Sequence, residues 1–129
     1  MGEKVRVAIV GGGRTGSPLL ADFLERPFVD VVGVADKDSS SPGAMLAKER
    51  GIFFTENADV LAAKGNDIDV IIEVSGDPSV KPALKDAFIA QGNRHTIIVP
   101  DLVARLVMSL SANSEDLIET YHPDDKGIG

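Results

Sequence analysis

Cysteine is absent from the 129 residues, which excludes a disulfide framework, a thiolate nucleophile and any cysteine-based metal site. The chain has two histidines, His95 and His122. They fall in different elements, without the Asp, Glu or His spacing of a metal centre, so no metal ligand is assigned. Positive charge is scarce: 13 Lys and Arg against 20 Asp and Glu leave a net charge of -7. A nucleic-acid partner is not expected, because a phosphate backbone rewards clustered basic side chains. No apolar run approaches the roughly 18 residues needed to span a bilayer. Met1-Gly2-Glu3-Lys4 leads directly into the first apolar run without a secretory segment, so no membrane partner is expected and a cytoplasmic location is. The acids Glu115, Asp116, Glu119, Asp124 and Asp125 lack the regular spacing of a calcium loop and read as a solvated acidic end. Val74-Ser75-Gly76 lacks the form of a nucleophile elbow, so no hydrolase chemistry is expected.

What the chain does contain is an alternation of short apolar runs with longer helical ones. That pattern marks an α/β domain with a doubly wound parallel sheet covered on both faces. The length suits one domain with a substantial core. Strands are expected at Val5 to Val10, Val29 to Ala35, Ile52 to Phe54, Asp69 to Val74 and His95 to Val99. Helices are expected at Arg14 to Arg26, Ala44 to Arg50, Ala58 to Lys64, Asp77 to Gln91 and Asp101 to about Ser114. Pro18 inside the first helix predicts some distortion. Ser41 before Pro42, Asn57 or Thr55, Asp77 before Pro78, and Asp101 are the expected helix starts. Right-handed crossovers then require the strand order 3-2-1-4-5, with the carboxyl ends of the first and fourth strands flanking a crevice.

The string Gly11-Gly12-Gly13-Arg14-Thr15-Gly16 joins the first strand to the first helix. In that setting it reads as a dinucleotide-binding turn. Gly11 turns the chain sharply, Gly13 lets a pyrophosphate approach the backbone, and Gly16 lets the helix lie close on the sheet. Free N–H groups and the positive dipole end of the helix would face the phosphates, with Arg14 and Thr15 in the same loop. Asp36 ends the second strand twenty residues beyond Gly16, placed to accept hydrogen bonds from the ribose 2′- and 3′-hydroxyls. Its charge would repel a 2′-phosphate, so NAD is expected over NADP. Lys37 and Arg14 moderate that preference, since either could pair with an extra phosphate. The plainer alternative is a tight turn with Asp36 as a solvated acid.

Ser75-Gly76-Asp77-Pro78 closes the fourth strand beside this turn. Ser75 and Gly76 are expected near the nicotinamide ribose, whereas Asp77 is equally a plain helix cap. Glu73 stands in a strand otherwise made of Val and Ile. It must either face the crevice or be buried and paired, because an unpaired buried charge is too costly.

Between Leu102 and Ser114 only Arg105 is charged. One side of that helix should cover the sheet, and the other leaves an apolar patch for a homodimer or a further domain, unless the helix is wedged in its own core. The domain is therefore assigned to residues 1–114, and residues 115–129 to a polar tail or linker.

The stretches Val7 to Gly16, Val32 to Asp36 and Asp69 to Gly76 together resemble the amino-terminal NAD(P)-binding domain of the glucose-fructose oxidoreductase and inositol dehydrogenase family, and of homoserine and aspartate dehydrogenases. They are also similar to Rossmann domains preceding PAS and histidine-kinase modules in bacterial signalling proteins, a resemblance that implies ligand sensing without turnover. The first resemblance implies a Glu-Lys-Pro segment after the fifth strand, with a catalytic lysine. Here that strand ends Ile98-Val99-Pro100-Asp101, without a lysine. No catalytic residue is assigned. The expectation is an NAD(H)-binding module of regulatory or sensory character, using Gly11, Gly13, Arg14, Thr15, Gly16, Asp36, Ser75 and Gly76. The alternative is the cofactor-binding domain of an NAD(P)-dependent oxidoreductase completed by another domain or chain.

Overall fold

A computed structural model describes residues 2–124 and Gly127. Five strands, β1 (Val5–Val10), β2 (Val29–Ala35), β3 (Phe54–Thr55), β4 (Val70–Glu73) and β5 (Ile97–Val99), form one parallel sheet. Their order is β3-β2-β1-β4-β5, as the crossover rule requires. Helices α1 (Gly16–Leu24), α2 (Pro42–Glu49), α3 (Ala58–Ala62), α4 (Val80–Ala90) and α5 (Asp101–Ser111) connect and cover the strands.

Strand alternation divides the core in two. Val7 and Ile9 of β1 point to one face, where they meet Leu19 and Leu20 of α1, Ala47 of α2 and Ala104 of α5. Ala8 and Val10 point to the other, against Leu61 of α3 and Leu84 and Phe88 of α4. β1 is the middle strand of the sheet, so its carboxyl end lies between those of β2 and β4. The pairing of β1 with β2 shifts register between Val7 and Ala8. Gly33 follows that shift, and a side chain there would collide with Leu61.

Several boundaries differ from the sequence expectation, each for a local reason. The first helix begins at Gly16, not Arg14, because residues 11–15 are used by the turn. Pro18 is its third residue, where a missing N–H deprives no internal bond of the helix. Ser41 caps α2 as expected, its Oγ accepting from the Ala44 N–H at 3.2 Å. Asn57 caps α3. The fourth helix starts at Val80, since the Asp77 carboxylate takes both the N–H and the hydroxyl of Ser79 in a turn of its own. The last helix is capped by Pro100, with Asp101 as its first residue, and it ends at Ser111. The third strand is Phe54–Thr55, set by pairing with Val34 and Ala35. The fifth is shortened to Ile97–Val99, because the backbone N–H groups of His95 and Thr96 turn onto the Asn93 side chain. The fourth loses a residue at each end, to Val70–Glu73.

On the outer face, Leu102, Leu106 and Leu110 of α5 are exposed, with Leu110 72% exposed. Among the described residues no helix is long and apolar enough to cross a membrane.

Candidate dinucleotide site

The carboxyl ends of β1, β2 and β4 converge where the strand order reverses, the position at which open α/β sheets bind ligands. Gly11 leaves β1 with φ +106°, and its N–H is held by the Ala35 carbonyl at 2.8 Å. A Cβ on Gly11 would approach the Ser75 backbone to 2.8 Å. The turns after β1 and β4 therefore touch without an intervening side chain. A Cβ on Gly16 would overlap the Gly11 carbonyl oxygen, so the helix can start this close to the strand only with glycine there. The Gly12 carbonyl accepts from Gly43 N–H at 2.7 Å, which staples the turn to the start of α2.

Asp36 acts first inside the protein. Its Oδ2 accepts from the Gly12 N–H at 2.7 Å and its Oδ1 from the Asp38 N–H at 2.9 Å. The Gly12 amide is thus taken by Asp36 and is not offered to a phosphate. Among the described residues, the N–H groups of Gly13, Arg14 and Thr15 have no acceptor. They stand at the amino end of α1, where the helix dipole favours an anion. Among the described residues, its two chain neighbours aside, no atom lies within 4 Å of where a Gly13 Cβ would be, so the backbone is open on that side. A carboxylate has about four acceptor positions. With one used on each oxygen, Asp36 retains capacity for a pair of hydroxyls.

Two contiguous clefts meet at Gly11, Asp36 and Ser75. One of about 780 Å³ runs between β2 and β4, over Asp36, Lys37, Asn57, Asp77 and Val80. The other, of about 380 Å³, lies over the glycine turn and is walled by Tyr121 and His122. Lys37 reaches across the larger cleft to Asp77, Nζ to Oδ2 at 2.7 Å. That contact, with the Ser79 hydroxyl and N–H, holds the Asp77 carboxyl well below its ordinary range and raises Lys37.

Beneath Ser75 lies a buried ion pair. Glu73 Oε2 is 3.6 Å from Lys81 Nζ, with side-chain exposures of 0% and 2%. Glu73 Oε1 accepts from the Ser75 N–H at 2.9 Å and from the Ser75 hydroxyl, and the Ser75 Oγ accepts from the Asp77 N–H at 3.1 Å. Of the two settings expected for Glu73, burial with a partner is the one found, and its carboxylate fixes the loop after β4. Lys81 is not among the residues expected at the site. Its signal was present, since Lys81, Leu84 and Phe88 form one buried stripe of α4, an unusual place for a lysine unless an acid lies opposite.

The residues expected around the turn, Gly11, Gly13, Arg14, Thr15 and Gly16, line or shape the smaller cleft with Asp36. Ser75 lines both clefts and Gly76 the larger. Gly76 has φ +78° and lies under the His122 imidazole. Tyr121 and His122 were expected in a polar end of the chain and not in the cleft wall.

The sequence pattern of the oxidoreductase family with an NAD-binding Rossmann fold matches residues 5–98. The chain belongs to that family. Solved structures similar to it include myo-inositol 2-dehydrogenase from Lactobacillus plantarum, with a TM-score of 0.56 and 18% identity over 86% of this chain and 40% of the other. Homoserine dehydrogenase from S. aureus matches with a TM-score of 0.58 and 18% identity, over 86% of this chain and 30% of that enzyme. Scyllo-inositol dehydrogenase from Lactobacillus casei, solved with NAD(H) and scyllo-inositol, matches with a TM-score of 0.54 and 19% identity over 87% of this chain and 35% of that one. The chain thus spans well under half the length of these proteins, and at such identities the likeness shows the fold alone.

Proposed function

We propose that this chain is the dinucleotide-binding domain of an NAD-dependent oxidoreductase whose substrate site is completed by another domain or chain. The observation that carries the reading is the set of three free amides, Gly13, Arg14 and Thr15, beside an open backbone face and the Asp36 carboxylate. These groups match the needs of a diphosphate and a ribose diol. Gly11 and Gly16 hold the turn in shape, Arg14 adds charge, and Ser75 and Gly76 border the path toward the second ribose. The bound dinucleotide would supply hydride transfer. The residues here would bind and orient it, and none is assigned a catalytic role.

The family match supports this reading over the regulatory or sensory module expected from the sequence, because the similar structures include dehydrogenases that extend far beyond this chain. NAD is proposed over NADP. Asp36 disfavours a 2′-phosphate, and Lys37, which could welcome one, is engaged by Asp77. The exposed apolar face of α5 is where a further domain or a second copy would dock. A cytoplasmic location belongs to the same proposal.

Calorimetric titration with NAD, NADH, NADP and NADPH tests it. Binding of NAD or NADH, with weaker binding of the phosphorylated pair, is the expected result; failure of all four removes the reading.

A further inference from the structure

The segment after α5 does not leave the domain. The Ile118 N–H donates to Ser109 Oγ at 3.0 Å and the Ile118 carbonyl accepts from Arg105 Nη1 at 2.9 Å. Arg105 Nε is in turn 2.7 Å from Asp101 Oδ2, and the same oxygen accepts from the Thr120 hydroxyl at 3.1 Å. Asp101 is 2% exposed. A buried charged group thus anchors residues 118–120, and a buried, hydrogen-bonded charge pair defines geometry more sharply than apolar contact alone. Thr120 Oγ1 then accepts from the His122 N–H at 2.9 Å, fixing the next turn of chain.

This anchoring delivers two side chains to the glycine turn. The Arg14 guanidinium lies over the Tyr121 ring, 4.7 Å from its centroid, a cation–π contact that needs none of the guanidinium N–H donors. Among the described residues Arg14 has no carboxylate partner. His122 covers the Gly76 Cα so closely that any side chain at 76 would overlap the imidazole. Between them remains the cleft of about 380 Å³, bounded by Gly13, Arg14, Thr15, Tyr121 and His122.

We infer that residues 118–122 are part of the ligand site: Tyr121 holds Arg14 over the glycine turn, and His122 closes the far side of the same cleft, so that the segment grips the second phosphate, counted from the adenosine, of a bound diphosphate. The inference rests on the dinucleotide reading above. It adds two contacts from outside the glycine turn, selective for the second phosphate. A group that stacks the cation and one that walls the cavity stabilise an anion already facing the helix amides, without themselves carrying fixed negative charge.

The test uses the full chain and two probes, ADP and AMP, titrated calorimetrically into the wild type, Tyr121→Ala, Tyr121→Phe and His122→Ala. Loss of one such contact corresponds to about a tenfold loss of ADP affinity, with AMP changed by less than about twofold, because its single phosphate does not reach the second position. Tyr121→Phe keeps the ring under Arg14 and should recover most of the ADP affinity. An unchanged ratio of ADP to AMP affinity in both alanine variants overturns the inference, as does tighter ADP binding in either, which would make the segment a plug. If Tyr121→Ala fails to fold, His122→Ala gives the same readout by itself. A wild type that binds neither probe nor NAD defeats the dinucleotide reading and this inference with it; a wild type that binds, with unaffected variants, defeats the inference alone.

Discussion

Replacing Lys81 by methionine keeps an unbranched side chain of similar length and removes the ammonium that faces Glu73. Both partners are essentially out of water, with side-chain exposures of 2% and 0%. Removing one member of a buried pair leaves the other charge without its counterpart, at a cost of about 3–5 kcal/mol. That is a large part of the roughly 5–15 kcal/mol that holds a domain together. Glu73→Gln is the complementary change, since the amide oxygen can still accept from the Ser75 N–H and hydroxyl that Glu73 Oε1 now holds. It should cost a comparable amount, because the Lys81 ammonium then faces a neutral amide in place of a carboxylate. In the double variant both charges are gone and the Ser75 bonds remain, so stability should return to within about 1–2 kcal/mol of wild type. Urea unfolding at neutral pH measures all four proteins. With a slope of about 1–2 kcal/mol per molar, each single variant should lose roughly 1.5–5 M in midpoint. The coupling between the two sites should exceed about 2 kcal/mol. Single variants that each lose less than about 1 kcal/mol, or costs that simply add in the double variant, would refute a pair whose partners depend on each other.

Gly16→Ala forces a methyl into the Gly11 carbonyl oxygen and should destabilise by about 1–3 kcal/mol while opening the turn. Gly13→Ala meets no atom within 4 Å among the described residues beyond its chain neighbours, so it should leave the thermal midpoint nearly unchanged and still weaken NAD in a binding titration; equal behaviour of the two variants would contradict their assigned roles. Asp77→Asn releases Lys37 from its partner and should raise NADP affinity relative to NAD by about two- to fivefold, the modest scale of an exposed charge pair. A ratio that stays at its wild-type value would count against Lys37 as a held-back phosphate contact. Asp69 accepts from the Arg6 side chain and backbone and from His95, which lowers its carboxyl below the ordinary value of 3.8. Its stabilising effect is present above that value and is lost as the pH falls through the lower folded-state one. Asp69→Asn should therefore be less stable than wild type at about pH 7, with the gap closing toward about pH 2. A gap independent of pH would show that the ionised carboxylate is not the source.

The parts of the site carried by neighbouring residues could be read before the fold was known. Gly11, Gly13 and Gly16 stand in one turn with a strand before and a helix after, and the strand order follows from handedness alone. Ser41 before Pro42 marked a helix start for the same local reason. What escaped depends on residues brought together from afar. The sequence marks Asp36 as a ribose acceptor, but nothing local announces that one of its oxygens holds the Gly12 amide. Glu73 was recognised as needing a partner, but Lys81 is across the sheet face on α4, and only the packed helix makes it the answer. Lys37 and Asp77 belong to different crossovers and meet because β2 and β4 flank β1. Tyr121 and His122 had a polar, turn-rich surrounding that reads as a tail. Their path is set by Asp101 and Arg105, whose side chains aim at Ile118 and Thr120 only once α5 is in place.

In the proposed site the amides of Gly13, Arg14 and Thr15 receive a diphosphate beside Asp36. Amide NMR on the isotope-labelled chain, titrated with NAD, reads those amides one by one. The largest shifts are expected at residues 12–16 and at Asp36, saturating together and weakened by Asp36→Ala. Shifts centred elsewhere, with the glycine turn undisturbed at saturating NAD, would contradict it.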